Sequence, residues 1–241
     1  MKGPGHNLGP SCVLILGSEG ALGSALVSYF LQNKWFVIGL DVHKKSKHPI
    51  SYYCVDFRNE LEVQKSVAWI MSLNPLPDSL ISTIAQFGND DRSHFSWESF
   101  YEKLQINLVH LSLFCVALSR LYIERAHALR LVLVGSAAAN VGSLDIAYSV
   151  SKAGLNGLVI SLSKCFAANK IITIGINPGI FNSSMSASVP EERQHATILA
   201  THLKRKGTLN EMVDLISYAA QNAPEYLTGS IININGGQYS C

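Results

Sequence analysis

Short apolar runs recur along the chain at CVLIL (12–16), WFVIGL (35–40), SYYCV (51–55), SLISTIA (79–85), LRLVLVG (129–135), KIITIGI (170–176) and SIININ (230–235). Their β-branched and aliphatic content suits buried strands. Between them, at 20–33, 59–73, 97–125, 148–169 and 209–222, apolar residues return at helical spacing. Strands alternating with helices imply right-handed crossovers and a sheet covered on both faces. The pattern predicts an α/β, doubly wound parallel sheet of about seven strands with helices on both faces. No internal repeat or composition break marks a second domain, so 1–241 reads as one domain with a flexible start at 1–10. The stretch 181–206, FNSSMSASVPEERQHATILATHLKRK, is polar at its start and weakly helical later. It reads as an insertion over one end of the sheet, placed to act as a substrate lid.

With 241 residues, 48% hydrophobic and 15% charged, the chain can bury a sizeable core. Nineteen basic against seventeen acidic side chains give a net charge of +2, and the longest basic block is HKKSKH at 43–48. That balance argues against nucleic acid as a partner, although the short block remains a possible anion contact. Cys12, Cys54, Cys115, Cys165 and Cys241 are scattered and form no Cys-x-x-Cys pair. They suit reduced thiols in a cytoplasmic protein. The start MKGPGHNLGPSC lacks the apolar core of a secretory signal. The longest uncharged apolar helix candidate, INLVHLSLFCVALS, falls short of the roughly 20 residues that span a bilayer, so no membrane is expected. The eight histidines, at 6, 43, 48, 94, 110, 127, 195 and 202, show no metal-ligand spacing, and no metal is expected.

The stretch GSEGALG (17–23) places three glycines between a strand and a helix. In a doubly wound fold this turn borders the crevice where dinucleotides bind, and glycines let backbone N–H groups approach a pyrophosphate. Gly17, Ser18, Gly20, Ala21, Leu22 and Gly23 are therefore candidate cofactor contacts; the competing reading is a merely tight turn. Asp41, ending VIGLDV, lies near the ~20-residue offset expected of a carboxylate that holds the adenosine ribose. A carboxylate there repels the 2′-phosphate of NADP, which favours NAD(H) over NADP(H). Against this, Asp41 could be an exposed turn residue, and His43, Lys44 and Lys45 could hold a phosphate. In CVDF, Asp56 and Phe57 are placed for the adenine, with Asp56 equally suited to cap the following helix.

Further along, YSVSK sets Tyr148 and Lys152 four apart on one helical face. A phenol is a poor base at neutral pH, and an adjacent ammonium stabilises its phenolate. Ser136, closing LVLVGSAAA, is placed to hold a substrate oxygen. Singly, Tyr-x-x-x-Lys is a common coincidence and a serine after a strand is usually a turn residue.

Together these residues resemble the short-chain dehydrogenase/reductase family across nearly the whole chain. The resemblance implies a Rossmann-like fold and a catalytic set of Ser136, Tyr148 and Lys152, joined by Asn107 from LQINLVHL. It also implies cofactor contacts at Pro178, Gly179 and Ile180 in INPGIFNSS, with Ser183 or Ser184 in place of the family's usual threonine. Two departures stand out. Leu16, Gly20 and Ala21 alter the family's Thr-Gly-x-x-x-Gly-x-Gly turn, and TIAQ (83–86) replaces Asn-Asn-Ala-Gly, keeping only Ala85. The glycine turn is more like quinonoid dihydropteridine reductases, whereas YSVSKAGLNGL and TGSIININGGQY look closer to 3-oxoacyl-carrier-protein reductases.

The activity so implied is hydride transfer between a nicotinamide cofactor and a carbonyl or alcohol carbon of a small molecule. Tyr148 would pass the proton, Ser136 would hold the oxygen, and Lys152 would bind the nicotinamide ribose and lower the tyrosine pKa. Asn107 would hold a water for proton resupply. A non-catalytic dinucleotide sensor is the rival from another class. The pocket should be walled by 86–97, 137–147 and the lid, with Phe181, Met185, Val189, Ile198 and Leu199 either closing over substrate or packing the lid down. Arg92 and His94 are open to either a substrate contact or a solvated loop. By the same resemblance, helices 97–125 and 148–169 would pair copies into a homo-oligomer, a dimer or a homotetramer.

Overall fold

A computed structural model of the chain describes residues 11–88, 95–187 and 189–239. The expected flexible start at 1–10, Arg92, His94 and Cys241 lie outside the described residues. Seven strands among the described residues form one sheet: β1 (Cys12–Leu16), β2 (Phe36–Asp41), β3 (Ser51–Cys54), β4 (Ser79–Ser82), β5 (Leu129–Val134), β6 (Ile171–Pro178) and β7 (Ile231–Ile234). Their order is β3-β2-β1-β4-β5-β6-β7, and every pair is parallel. This is the doubly wound architecture that the hydrophobic pattern predicts. The order reverses between β1 and β4, which opens a crevice at the carboxyl ends of those strands.

The helices follow in chain order. They are α1 (Ala21–Gln32), α2 (Glu60–Met71), α3 (Trp97–Leu104), α4 (His110–Glu124), α5 (Ala138–Val141), α6 (Ile146–Phe166), α7 (Ser184–Ala187), α8 (Glu191–Ala200) and α9 (Leu209–Gln221). Successive strand residues point to opposite faces, so β1 divides its side chains between two cores. Cys12, Leu14 and Leu16 pack with residues of α2, α4 and α6, while Val13 and Ile15 pack with residues of α1 and α9.

Three boundaries differ from the periodicity. The helix expected over 97–125 is α3, a π turn at Gln105–Val109 and α4, which together run unbroken for 28 residues. Its apolar stretch, expected to be too short for a bilayer, is therefore long enough, with a mean hydropathy of 1.6 over 18 residues. Much of it is spent on the core: Leu111, Phe114, Cys115, Leu118 and Tyr122 are buried. The helix expected from 148 starts at Ile146 because Asp145 caps it, its Oδ1 accepting from Tyr148 N at 3.1 Å. Finally, Asn59 rather than Asp56 caps α2, accepting from Leu61 N and Glu62 N.

The β1–α1 turn is set by close backbone approach. A Cβ on Gly23 would lie 1.9 Å from the Gly17 carbonyl oxygen, and Gly17 itself has φ +80°. By contrast, a Cβ on Gly20 would meet that oxygen at an ordinary 3.4 Å. Gly23→Ala is expected to cost about 1–3 kcal/mol or more in urea unfolding, because the clash is with backbone. Gly20→Ala is expected to cost less than about 1 kcal/mol, the worth of a poorer N-cap.

Candidate active site

Six strand ends contribute to one cavity of about 1140 Å³ at the carboxyl edge of the sheet. Ordinary small-molecule pockets run to roughly 300–1,000 Å³, so this one has room for a dinucleotide and a second molecule.

The glycine turn forms one wall. Gly17, Gly20, Ala21, Leu22 and Gly23 line the cavity. The N-cap of α1 is Gly20, with no side-chain cap, so the first turn of the helix presents backbone N–H groups to an anion. Ser18 does not take part: its side chain is buried, turned toward Gly39, and its hydroxyl has no protein partner. Thr83 holds the turn from β4, its hydroxyl donating to Leu16 O at 2.9 Å and Gly17 O at 3.2 Å. The altered TIAQ segment thus carries its own brace for the glycine turn.

Asp41 lines the cavity at the end of β2 and is nearly buried. Its Oδ2 accepts from Glu19 N at 3.0 Å, and its Oδ1 accepts from His43 N at 3.2 Å and His43 Nδ1 at 2.6 Å. Asp41 is therefore a fixed carboxylate, not an exposed turn residue. Glu19, which sequence reasoning missed, holds the following loop by accepting from Ser46 Oγ at 2.7 Å and Lys47 N at 3.0 Å. Asp56 and Phe57 line the same end. Hydrogen bonds from Arg58 hold the Asp56 carboxyl below its ordinary range. The Phe57 ring is buried, and its carbonyl accepts from His110 Nδ1 at 2.6 Å.

Ser136, Tyr148 and Lys152 converge on the opposite wall with Ala85, Pro178, Gly179, Ile180 and Ser183. Ser136 follows β5, and its Oγ accepts from Ala138 N at 3.1 Å. Tyr148 sits in the first turn of α6, with the Phe87 ring edge-on at 5.1 Å between centroids. Lys152, one turn on, is fully buried, donates to Val134 O at 3.0 Å and lies 5.7 Å from the Tyr148 ring centroid. Gln86 also lines this wall, and its buried Oε1 has no protein donor, leaving an acceptor for a ligand hydroxyl.

Asn107 sits beside this wall, not in it. In the π turn its Oδ1 accepts from Gln86 N at 2.7 Å, and its Nδ2 donates to Gln86 O at 2.8 Å and Ser151 Oγ at 3.2 Å. The side chain is engaged by protein groups, so it is a brace for the loop after β4. Of the lid candidates, Phe181, Met185 and Val189 reach the cavity; Ile198 does not, and Leu199 is exposed. Arg193, on α8, adds a cation to that end.

The electrostatics depart from expectation in one respect. Burial raises the Tyr148 pKa above the ordinary phenol value; the Ser136 hydrogen bond lowers it, and the Asp145 charge raises it. Desolvation is the largest of these effects. The lysine itself is pushed down to about 8 by burial.

A family model described as enoyl-(acyl carrier protein) reductase matches residues 23–239. The 3-oxoacyl-(acyl-carrier-protein) reductase of Buchnera aphidicola subsp. Baizongia pistaciae is 23% identical over 236 residues, 94% of this chain and 96% of that one. Its namesake from Haemophilus influenzae is 23% identical over 235 residues, 94% and 97% of the two chains. The fold is similar to that of 4-hydroxyisoleucine dehydrogenase complexed with NADH, with a TM-score of 0.85 at 22% identity over 95% of this chain and 98% of that one. It is also similar to sorbitol-6-phosphate 2-dehydrogenase from Erwinia amylovora, with a TM-score of 0.84 at 23% identity over 95% of this chain and all (100%) of that one.

Burial of Lys152 generates a stability prediction. Its folded pKa of about 8 lies below the ordinary 10.5, so carrying the charge costs folding free energy below pH 8. As pH rises from about 8 to 10.5 the unfolded chain still holds a proton that the folded chain has released, and stability climbs. Lys152→Met is expected to flatten that climb in urea unfolding and to raise stability at neutral pH by on the order of 2–3 kcal/mol.

Proposed function

Because the chain belongs to the short-chain dehydrogenase/reductase family, we propose that it is an NAD(P)-dependent oxidoreductase acting as a ketoreductase on a carbonyl with an apolar chain. The observation that carries this reading is the convergence of Ser136, Tyr148 and Lys152 on the cavity that the glycine turn also lines. The uncapped α1 N-terminus, the Cβ-free face of Gly20 and the orphan acceptor of Gln86 fit a dinucleotide. Such a cofactor, when bound, supplies the hydride to a carbonyl carbon or takes it from an alcohol.

The chain's own groups handle orientation and the proton. Gly17, Gly20, Ala21, Leu22 and Gly23 would hold the pyrophosphate, Asp41 the adenosine ribose, Asp56 and Phe57 the adenine end. Ala85, Pro178, Gly179, Ile180 and Ser183 would border the nicotinamide. Ser136 Oγ would donate to the substrate oxygen, and Tyr148 Oη would deliver a proton to it as alkoxide character develops. A tyrosine held protonated suits a donor to a carbonyl oxygen, and in the reverse reaction its phenolate would take the proton from the alcohol. The buried Lys152 ammonium would bond the nicotinamide ribose and restore charge balance once Tyr148 has given up its proton. Phe181, Met185 and Val189 would cover the substrate and exclude water. A fixed carboxylate at Asp41 supports NADH over NADPH.

The relatives described as 3-oxoacyl reductases support a 3-oxoacyl thioester as the class of substrate. Unpaired thiols at Cys12, Cys54, Cys115 and Cys165 suit the cytoplasm. Exposed Val109 and Leu113 on the long helix, with Val150 and Ile160 on α6, support a homo-oligomer, a dimer or tetramer paired through these faces. The chain would then act as one domain with 181–206 as its lid.

The test is the initial rate of NADH and NADPH oxidation with a 3-oxobutanoyl thioester and, in parallel, with quinonoid dihydropterin. Tyr148→Phe is expected to lose about 10²–10⁴-fold in kcat with cofactor Kd within about twofold. Undiminished turnover would sink the assignment of Tyr148, and cofactor binding without turnover of any carbonyl would favour a sensor. Asp41→Ser is expected to raise the NADPH-to-NADH ratio of kcat/KM by about tenfold or more, roughly 1.4 kcal/mol.

A further inference from the structure

Lys103 and Asp145 form an ion pair at 2.9 Å with each residue only 1% exposed, and Asp145 lines the cavity. A buried pair of this kind is weak evidence for stability, since apolar residues of similar volume often serve as well. Its position needs another explanation. Asp145 joins three elements. Its Oδ1 accepts from Tyr148 N at 3.1 Å, while its Oδ2 accepts from Gly88 N at 2.9 Å and faces Lys103 Nζ. Lys103 comes from α3, one turn before Asn107, and a Cβ on Gly88 would lie 2.7 Å from its ammonium. The segment clamped in this way, Gln86 to Gly88, carries the Phe87 ring that meets Tyr148 edge-on.

We propose that Asp145, clamped by Lys103, is a positioning residue that fixes the first turn of α6 to the Gly88 backbone and so sets the Tyr148 phenol against Phe87. This inference rests on the reading of Tyr148 as the proton donor. It gives Asp145 a second consequence, because its charge lies at the head of the helix that carries the phenol. Among the described residues, the charged and polar groups facing Tyr148 are Ser136 from the end of β5, Lys152 from its own helix, and Asp145 paired with Lys103 of α3. Phe87 contributes no charge. Among these, Asp145 is the group whose charge opposes ionisation of the phenol, and Lys103 tempers it.

Asp145→Asn removes the charge and keeps an acceptor for the helix cap. Ionisation of Tyr148 is read as the near-ultraviolet tyrosinate absorbance of each protein minus that of the same protein carrying Tyr148→Phe. Tyr148 of Asp145→Asn is expected to ionise at a lower pH than in the parent. The double variant Lys103→Met/Asp145→Asn removes both partners of the ion pair, and it should fold and show a smaller downward shift than Asp145→Asn, because the opposing Lys103 charge goes with the carboxylate. With a 3-oxobutanoyl thioester, kcat of Asp145→Asn should fall while NADH Kd stays within about twofold, the signature of a misplaced donor. If both variants lose melting temperature but their Tyr148 titrations stay with the parent, the pair is structural only and the inference fails. Retained turnover in Tyr148→Phe would overturn the donor reading instead, leaving the titration result to stand by itself.

Discussion

The Asn107 side chain holds the Gln86 backbone by both its donor and its acceptor, and most of the site depends on that contact. An asparagine buried without partners would leave up to four hydrogen-bonding capacities unmet, at a cost of about 1–3 kcal/mol each. Here the cost is avoided because a π turn widens the long helix and Asn107 reaches the loop after β4. The same side chain touches Ser151 of the helix that bears Tyr148 and Lys152. One buried amide therefore sets the distance between the sheet edge, the long helix and the catalytic helix. The loop it secures includes Thr83, which braces the glycine turn, and Phe87, which contacts Tyr148. A shift of that loop would move the glycine turn and Tyr148 together.

The fold was legible because it rests on local periodicity. The run CVLIL is wholly buried and forms a strand of the same bounds, since a strand covered on both faces has no polar positions to blur its ends. The glycine turn was legible for a related reason: Gly23 answers a backbone clash that no side chain survives. Tyr148, Lys152 and Ser136 could be paired because two share a helix face and the third ends a strand at the same edge.

Long-range polar contacts were not legible. Lys103, in WESFYEKL, is among the largest fully buried side chains and pairs with a carboxylate 42 positions later. Glu19 reads as a turn residue, but it is buried under the Ser46–Lys47 loop. Neither pairing has a spacing that a one-dimensional pattern can display. The π turn is hidden for another reason: one extra residue per turn shifts the apolar stripe by less than the width of the buried face. Asp56 was read as a possible cap on residue type alone, while Asn59 has the geometry.

The direction of the Tyr148 pKa follows from the same burial that secures the site. The Phe87 ring packs on the phenol, and burial disfavours the charged form of each group: the tyrosine is held as phenol and the lysine is eased toward amine. Of the buried polar atoms without a protein partner, Gln86 Oε1 belongs to a residue that lines the cavity. The Lys103–Asp145 pair at the head of α6 adds a buried carboxylate beside the same phenol, and its charge raises the Tyr148 pKa further.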